Sequence, residues 1–138
     1  MSKGIIETIN KIGVFTKTQP ATEADVLRAE KELGLKLSEE YKEYVMEYGA
    51  IRICGLELTG VTKGQVRDVA VVTKTEKQYN GNISPDMYVV EELGVDGIVI
   101  LQDASGSIYI NSPRHKTEKI FDSLSEYLLC ASAEYKND

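Results

Sequence analysis

The sequence predicts a single α+β domain over residues 1–138, in which a mainly antiparallel β-sheet carries flanking helices at both termini. Three observations support this. Apolar residues recur at helical spacing between Ile5 and Tyr48, the last third alternates with a period of two around two tight turns, and a capped amphipathic segment closes the chain. A chain of 138 residues is close to the commonest size of one domain, and 42% hydrophobic content is that of a globular protein.

The first helix is expected from about Lys3 to Lys11. Ile5, Ile9 and Ile12 share one face, with Ile6 beside them, and Gly13 ends the run. Val14 and Phe15 are then expected to turn the exit inward. In the second helix Thr22 is a good N-cap, and Asp25 can return a hydrogen bond to its backbone. Val26, Leu27, Ala29, Glu30 and Leu33 make an apolar stripe with one charged edge, and Gly34 stands where a left-handed C-terminal residue belongs, with Leu35 as its hydrophobic contact. Ser38 caps a third helix, with Glu39 and Glu40 at its positive end. Tyr41, Tyr44, Val45 and Tyr48 fall on one continuous face. Tyrosines at this spacing build a core, each burying a ring while its hydroxyl reaches the rim. The remaining positions include Glu39, Glu43 and Glu47, an acidic outer face.

After Gly49 the period changes to two. Ile51–Ile53 and Leu56–Leu58 alternate in different phases, and the slip is assigned to a bulge at Gly55. In "DVAVVTKTEKQYNG" the β-branched residues favour a strand, but Val69, Val72, Glu76 and Tyr79 keep helical spacing, Asp68 can cap and Gly81 can stop the segment, so a helix is predicted. "MYVVEEL" reads as a strand, "GVDG" as a turn, "IVILQ" as a central strand, "DASG" as a second turn and "SIYIN" as the return strand. "KIF" is a short final strand. Ser123 caps the closing helix with Glu126 as its capping-box partner, and Leu124, Tyr127, Leu128, Ala131 and Tyr135 form its buried side.

The chemistry-bearing motifs are few. There is no phosphate-binding glycine loop, nucleophile elbow or HExxH, so no cofactor, catalytic or metal residue is assigned. Cys54 and Cys130 lack CxxC spacing and are expected to be reduced, buried thiols. The single histidine, His115, is expected to be exposed in the loop "NSPRHKTEK". The N-terminal "MSKGIIETINKIGVF" lacks the features of a signal peptide, and no apolar run reaches the ~20 residues of a membrane span, so a cytoplasmic location is expected, with no membrane partner. A net charge of −6 disfavours nucleic acid as a partner and suits a basic protein. Between Gln78 and Pro113 there is no lysine or arginine, while Asp86, Glu91, Glu92, Asp96 and Asp103 lie in that span. These five are predicted to contribute a one-signed partner-binding surface, with Glu39, Glu43 and Glu47 as the alternative face. The competing interpretation of the five is an ordinary solvated surface.

The segment "TEADVLRAEKELGLKLSEEYKEYVMEYGA", Thr22 to Ala50, resembles the opening signature of the SUKH superfamily. The matching residues are Glu30, Leu33, Gly34, Leu37, Tyr41, Tyr44, Tyr48 and Gly49; "GIVILQDASGSIYI" and "FDSLSEYLL" resemble later parts of the same pattern. Ser38 stands where the family usually has proline, and Gly60 to Pro85 matches poorly. The resemblance implies an α+β binding protein and no enzyme. Many bacterial members are immunity proteins that bind and neutralise a cognate toxin, often a nuclease of a polymorphic toxin system. Some fungal members are regulatory scaffolds in cell-wall signalling.

Overall fold

The computed structural model describes residues 4–137, with side chains through Glu134. Lys3, the expected start of the first helix, and the side chain of Tyr135 lie outside the described residues.

The caps read from the sequence set the helix ends. α1 (Ile5–Ile12) presents Ile5, Ile9 and Ile12 to the core. A three-residue strand, β1 (Phe15–Lys17), follows. Phe15 packs its ring edge on Tyr48 at 4.9 Å. Val14 is 96% exposed, so only one of the two residues turns inward. α2 (Glu23–Leu33) begins with the full capping box: Thr22 Oγ1 accepts from Asp25 N at 3.1 Å, and Asp25 accepts from Thr22 N at 3.0 Å. Its stripe is narrower than predicted, because Leu27 faces solvent. Gly34 ends α2 at φ 70°, ψ 28°. The Glu30 carboxylate then accepts a hydrogen bond from Leu37 N at 2.9 Å. That bond gives the matching residues Glu30, Leu33, Gly34 and Leu37 their physical content: one buried glutamate ties the helix end to the next segment.

α3 (Glu39–Tyr48) starts at Ser38, whose hydroxyl accepts from Tyr41 N at 2.9 Å. Gly49 follows at φ 74°. A Cβ there would stand 2.2 Å from Gln19 O, and one at Gly60 only 1.9 Å from Gly49 O. Backbone crosses backbone at these two positions, and only glycine leaves room.

β2 (Ile51–Ile53) and β3 (Leu56–Glu57) form a hairpin. The phase slip is its turn, not a bulge. Cys54 (φ 49°) and Gly55 (φ 75°) both adopt left-handed conformations, as a tight two-residue hairpin loop requires. Beyond the loop, α4 (Val69–Tyr79) confirms the helical spacing of its segment. Its flanks differ from expectation. The Asp68 carboxylate accepts from Thr62 N at 2.9 Å in place of capping the helix, and Asn80, not Gly81, ends it.

The last third is a meander of β4 (Tyr88–Glu92), β5 (Val99–Gln102), β6 (Ile108–Ser112) and β7 (His115–Phe121), closed by α5 (Leu124–Asn137). β7 is longer than "KIF" and includes His115, which is exposed on a strand and not in a loop; its Nδ1 lies 3.0 Å from Ser112 Oγ. The sheets β1-β2-β3 and β4-β5-β6-β7 meet at an antiparallel bridge between Leu58 and Glu91. Alternate strand residues serve two clusters. Tyr88, Val90, Ile100 and Ile108 join the main core with α1, α2, α3 and α5, while Val89, Val99 and Leu101 join Ile83, Met87 and partly buried Val72 of α4 on the opposite face.

The tyrosines of α3 hold the seam between the sheets. Thr59 Oγ1 donates to Val89 O at 2.7 Å, so Tyr41 must be the donor in its 2.8 Å contact with that hydroxyl. Tyr44 donates to Thr59 O at 2.7 Å and accepts from Ile51 N at 3.0 Å. Burial, chiefly, pushes the hydroxyl pKa of both tyrosines well up. Rings fill the core while hydroxyls satisfy the buried backbone where two sheets join.

Candidate protein-binding surfaces

The hairpin acids do not form one surface. In the meander, the β4–β5 and β6–β7 turns lie at one end and the β5–β6 turn at the other. Gly97 lies against Pro113, a Cβ there meeting its Cδ at 3.0 Å, which confirms the first pairing. Glu92 and Asp96 therefore stand at one end, beside the turn that carries Arg114, and Asp86 and Asp103 stand at the other. The gap in basic residues along the chain is closed in space by β7, whose Lys119 pairs with Tyr109 in register and with Asp122 at 2.7 Å.

Glu91 departs furthest from expectation. It is 4% exposed, and its carboxylate accepts a hydrogen bond from the Tyr127 hydroxyl. The cause is a bulge. Val89 pairs with Leu101 but Glu91 with Ile100, so Val90 is an extra residue and Glu91 turns to the face of Ile100 and α5. Desolvation, opposed by the Tyr127 hydrogen bond, holds its carboxyl above the usual range. The same bulge sends Glu92 to the α4 face, where it meets Glu76. Desolvation, then a hydrogen bond and repulsion from Glu92, push Glu76 up to about 7.

Asp103 is occupied locally. It accepts from Ser105 N at 3.0 Å, Ser105 Oγ at 2.6 Å and Tyr109 Oη at 2.8 Å. Its carboxyl is lowered because these hydrogen bonds together outweigh desolvation, the largest individual influence. Asp86 is exposed and accepts from Ser84 Oγ; Asp96 is exposed at φ 52° in its turn.

The alternative set is coherent. Glu39, Glu43 and Glu47 are all exposed along α3. Four-residue steps put them in one stripe, about 6 Å apart. Tyr41, Tyr44 and Tyr48 lock the opposite side of the helix into the core, so the stripe is rigidly placed. Glu39 also pairs with Lys42 at 2.7 Å.

Glu40, which the sequence places only at the positive end of α3, is structurally the most connected acid of that helix. It accepts from Gln102 Nε2 at 2.9 Å, Leu124 N at 2.7 Å, Ser125 N at 3.0 Å and Ser125 Oγ at 3.0 Å. A carboxylate from α3 thus caps α5, while Ser123 Oγ accepts from Glu126 N at 3.1 Å as predicted. Gln102 Oε1 in turn accepts from Tyr88 Oη at 2.7 Å and Ser38 Oγ at 3.0 Å. No local spacing marks a partner 84 residues away.

Both cysteines are free, but Cys54 is half-buried and Cys130 exposed, which corrects the expectation of buried thiols. Cys54 is held in a hairpin turn and Cys130 faces out of α5. No helix among the described residues is long and apolar enough to cross a membrane.

An antiparallel meander under terminal helices, with exposed acids on a packed scaffold, makes an α+β domain. A SUKH family model described as "SMI1-KNR4 cell-wall" matches residues 2–131, and the chain belongs to that family. No curated protein matches it.

Proposed function

We propose that this chain is an immunity protein: it binds a cognate bacterial toxin domain, basic and of the nuclease type, and blocks it stoichiometrically in the cell that makes both. The observation that carries this reading is the family match over residues 2–131, because immunity to toxins is a common role in that superfamily. The electrostatics support it. The chain carries a net charge of −6, and the α3 stripe offers carboxylates to a cationic groove in place of phosphates. Occlusion by a rigid acidic helix requires no catalysis.

The description of the matching family model favours one second reading, a non-enzymatic regulatory or scaffold protein of the cell-wall type. Co-expression separates the two. A toxin gene adjacent to this one should arrest growth when expressed alone and not when this chain is co-expressed. Continued arrest, with both proteins present and soluble, would exclude neutralisation and leave the scaffold reading.

A further inference from the structure

An open groove of about 670 Å³ lies between α5, the β2–β3 turn and the inner face of β5–β7. Leu56, Leu93, Ile120, Phe121, Tyr127 and Ala131 are among the residues that line it. Leu93 and Ile120 are 39% and 37% exposed, so the apolar surface is open to solvent and not the inside of the core. An exposed apolar patch of this kind marks an interaction site.

The charge of its described lining has one sign. Among the described residues lining it, Glu134 is the only charged side chain. Beneath the groove lies Glu91, nine-tenths buried and bonded through its side chain to the groove-lining Tyr127 hydroxyl. Glu91 has no ion pair among the described residues, and the nearby Glu57 repels its charge. A buried carboxylate with one hydroxyl partner gains from an arriving cation.

We infer that this groove docks a segment of a protein partner that carries aliphatic or aromatic side chains followed by a lysine or arginine, the apolar residues lying between α5 and β7 and the cation beside Glu134. This surface is separate in composition from the acidic stripe of α3, and it stands whether or not the partner is a toxin.

The test is selection of a random peptide library on the intact protein, followed by fluorescence anisotropy with the enriched peptides. Enriched sequences should combine large apolar residues with a lysine or arginine. Leu93→Asp and Ile120→Asp should each weaken such a peptide about tenfold or more at an unchanged melting temperature. Glu134→Gln should weaken it about two- to fivefold, the scale of an exposed charge pair. If either aspartate variant fails to fold, attaching fluorescein maleimide to the exposed Cys130 in a Cys54→Ser background decides instead, and should weaken the peptide likewise. The inference is overturned if no peptide is enriched, if enriched peptides are acidic, or if the folded variants bind unchanged. Sedimentation showing a dimer that Leu93→Asp and Ile120→Asp dissociate would also overturn it, by placing a second copy of the chain in the groove.

Discussion

Replacing Glu40 by alanine should be among the most damaging single changes at a partly exposed position. The side chain satisfies Leu124 N and Ser125 N, two of the donors that the start of α5 leaves without helical partners, and also the Gln102 amide and the Ser125 hydroxyl. Loss of a helix cap alone costs about 1 kcal/mol. Hydrogen bonds to a charged acceptor are worth about 1.5–3 kcal/mol each, discounted where water replaces the carboxylate. The helix dipole adds about 0.3–1 kcal/mol. Because solvent reaches part of the site, the total should be about 3–4 kcal/mol rather than the full sum. For a chain of this length that lowers the melting temperature by about 10–15 °C. Glu40→Gln keeps one acceptor oxygen but turns an amide donor toward other donors, so it should lose about half as much. Urea unfolding followed by circular dichroism measures both. A loss below about 1 kcal/mol for Glu40→Ala would show that water caps α5 equally well and would refute the assignment of Glu40 as the tie between α3 and α5.

Tyr44→Phe keeps the ring but strips Thr59 O and Ile51 N of their partner, and should cost about 1–3 kcal/mol; Tyr44→Ala should cost about 3–5 kcal/mol. Wild-type unfolding midpoints for either would put the hydroxyl or the ring outside the seam. Gly60→Ala should cost about 3 kcal/mol or more, since its Cβ would overlap Gly49 O at 1.9 Å and Ala50 Cβ at 2.7 Å; soluble expression at wild-type stability would contradict that close approach. Glu76 gives a pH prediction. Its carboxyl is raised to about 7 in the folded chain, above the ordinary 4.5, so the folded state holds the proton more tightly and stability falls as pH rises from about 4.5 to 7. Glu76→Gln should flatten this fall and stabilise the protein at pH 8 by about 1 kcal/mol, a value discounted for solvent screening. Equal urea midpoint shifts between pH 5 and pH 8 in both proteins would remove the Glu76–Glu92 pair from the account.

What the sequence discloses here is local and periodic. The Thr22–Asp25 box, the Gly34 cap, Ser38 and the tyrosine face of α3 are each specified within a turn or two of chain, and each forms as read. What it hides depends on geometry between distant strands. The extra residue at Val90 reverses which of Glu91 and Glu92 points to α5, and no feature of "MYVVEEL" marks it. The two-residue turn at Cys54–Gly55 was readable, because two strand phases meeting at a glycine fit a hairpin as well as a bulge. Charge segregated along a meander is redistributed in space when a neighbouring strand brings a lysine alongside, as β7 does with Lys119. The coherent acidic stripe, Glu39–Glu43–Glu47, was already visible as helical spacing.

Whether the acidic face of α3 binds and occludes a basic toxin domain is decided by association kinetics with a toxin domain that this chain neutralises on co-expression. Wild type should be compared with Glu39→Lys/Glu43→Lys/Glu47→Lys and with Glu92→Lys/Asp96→Lys, at 0.01 M and 0.1 M salt. If α3 is the contact, the first variant should associate at least about tenfold more slowly at low salt. The gap should narrow at 0.1 M, where the Debye length falls from about 30 Å to about 10 Å, and the second variant should change little. An unchanged association rate at both salt concentrations, in a folded α3 variant, would contradict the account.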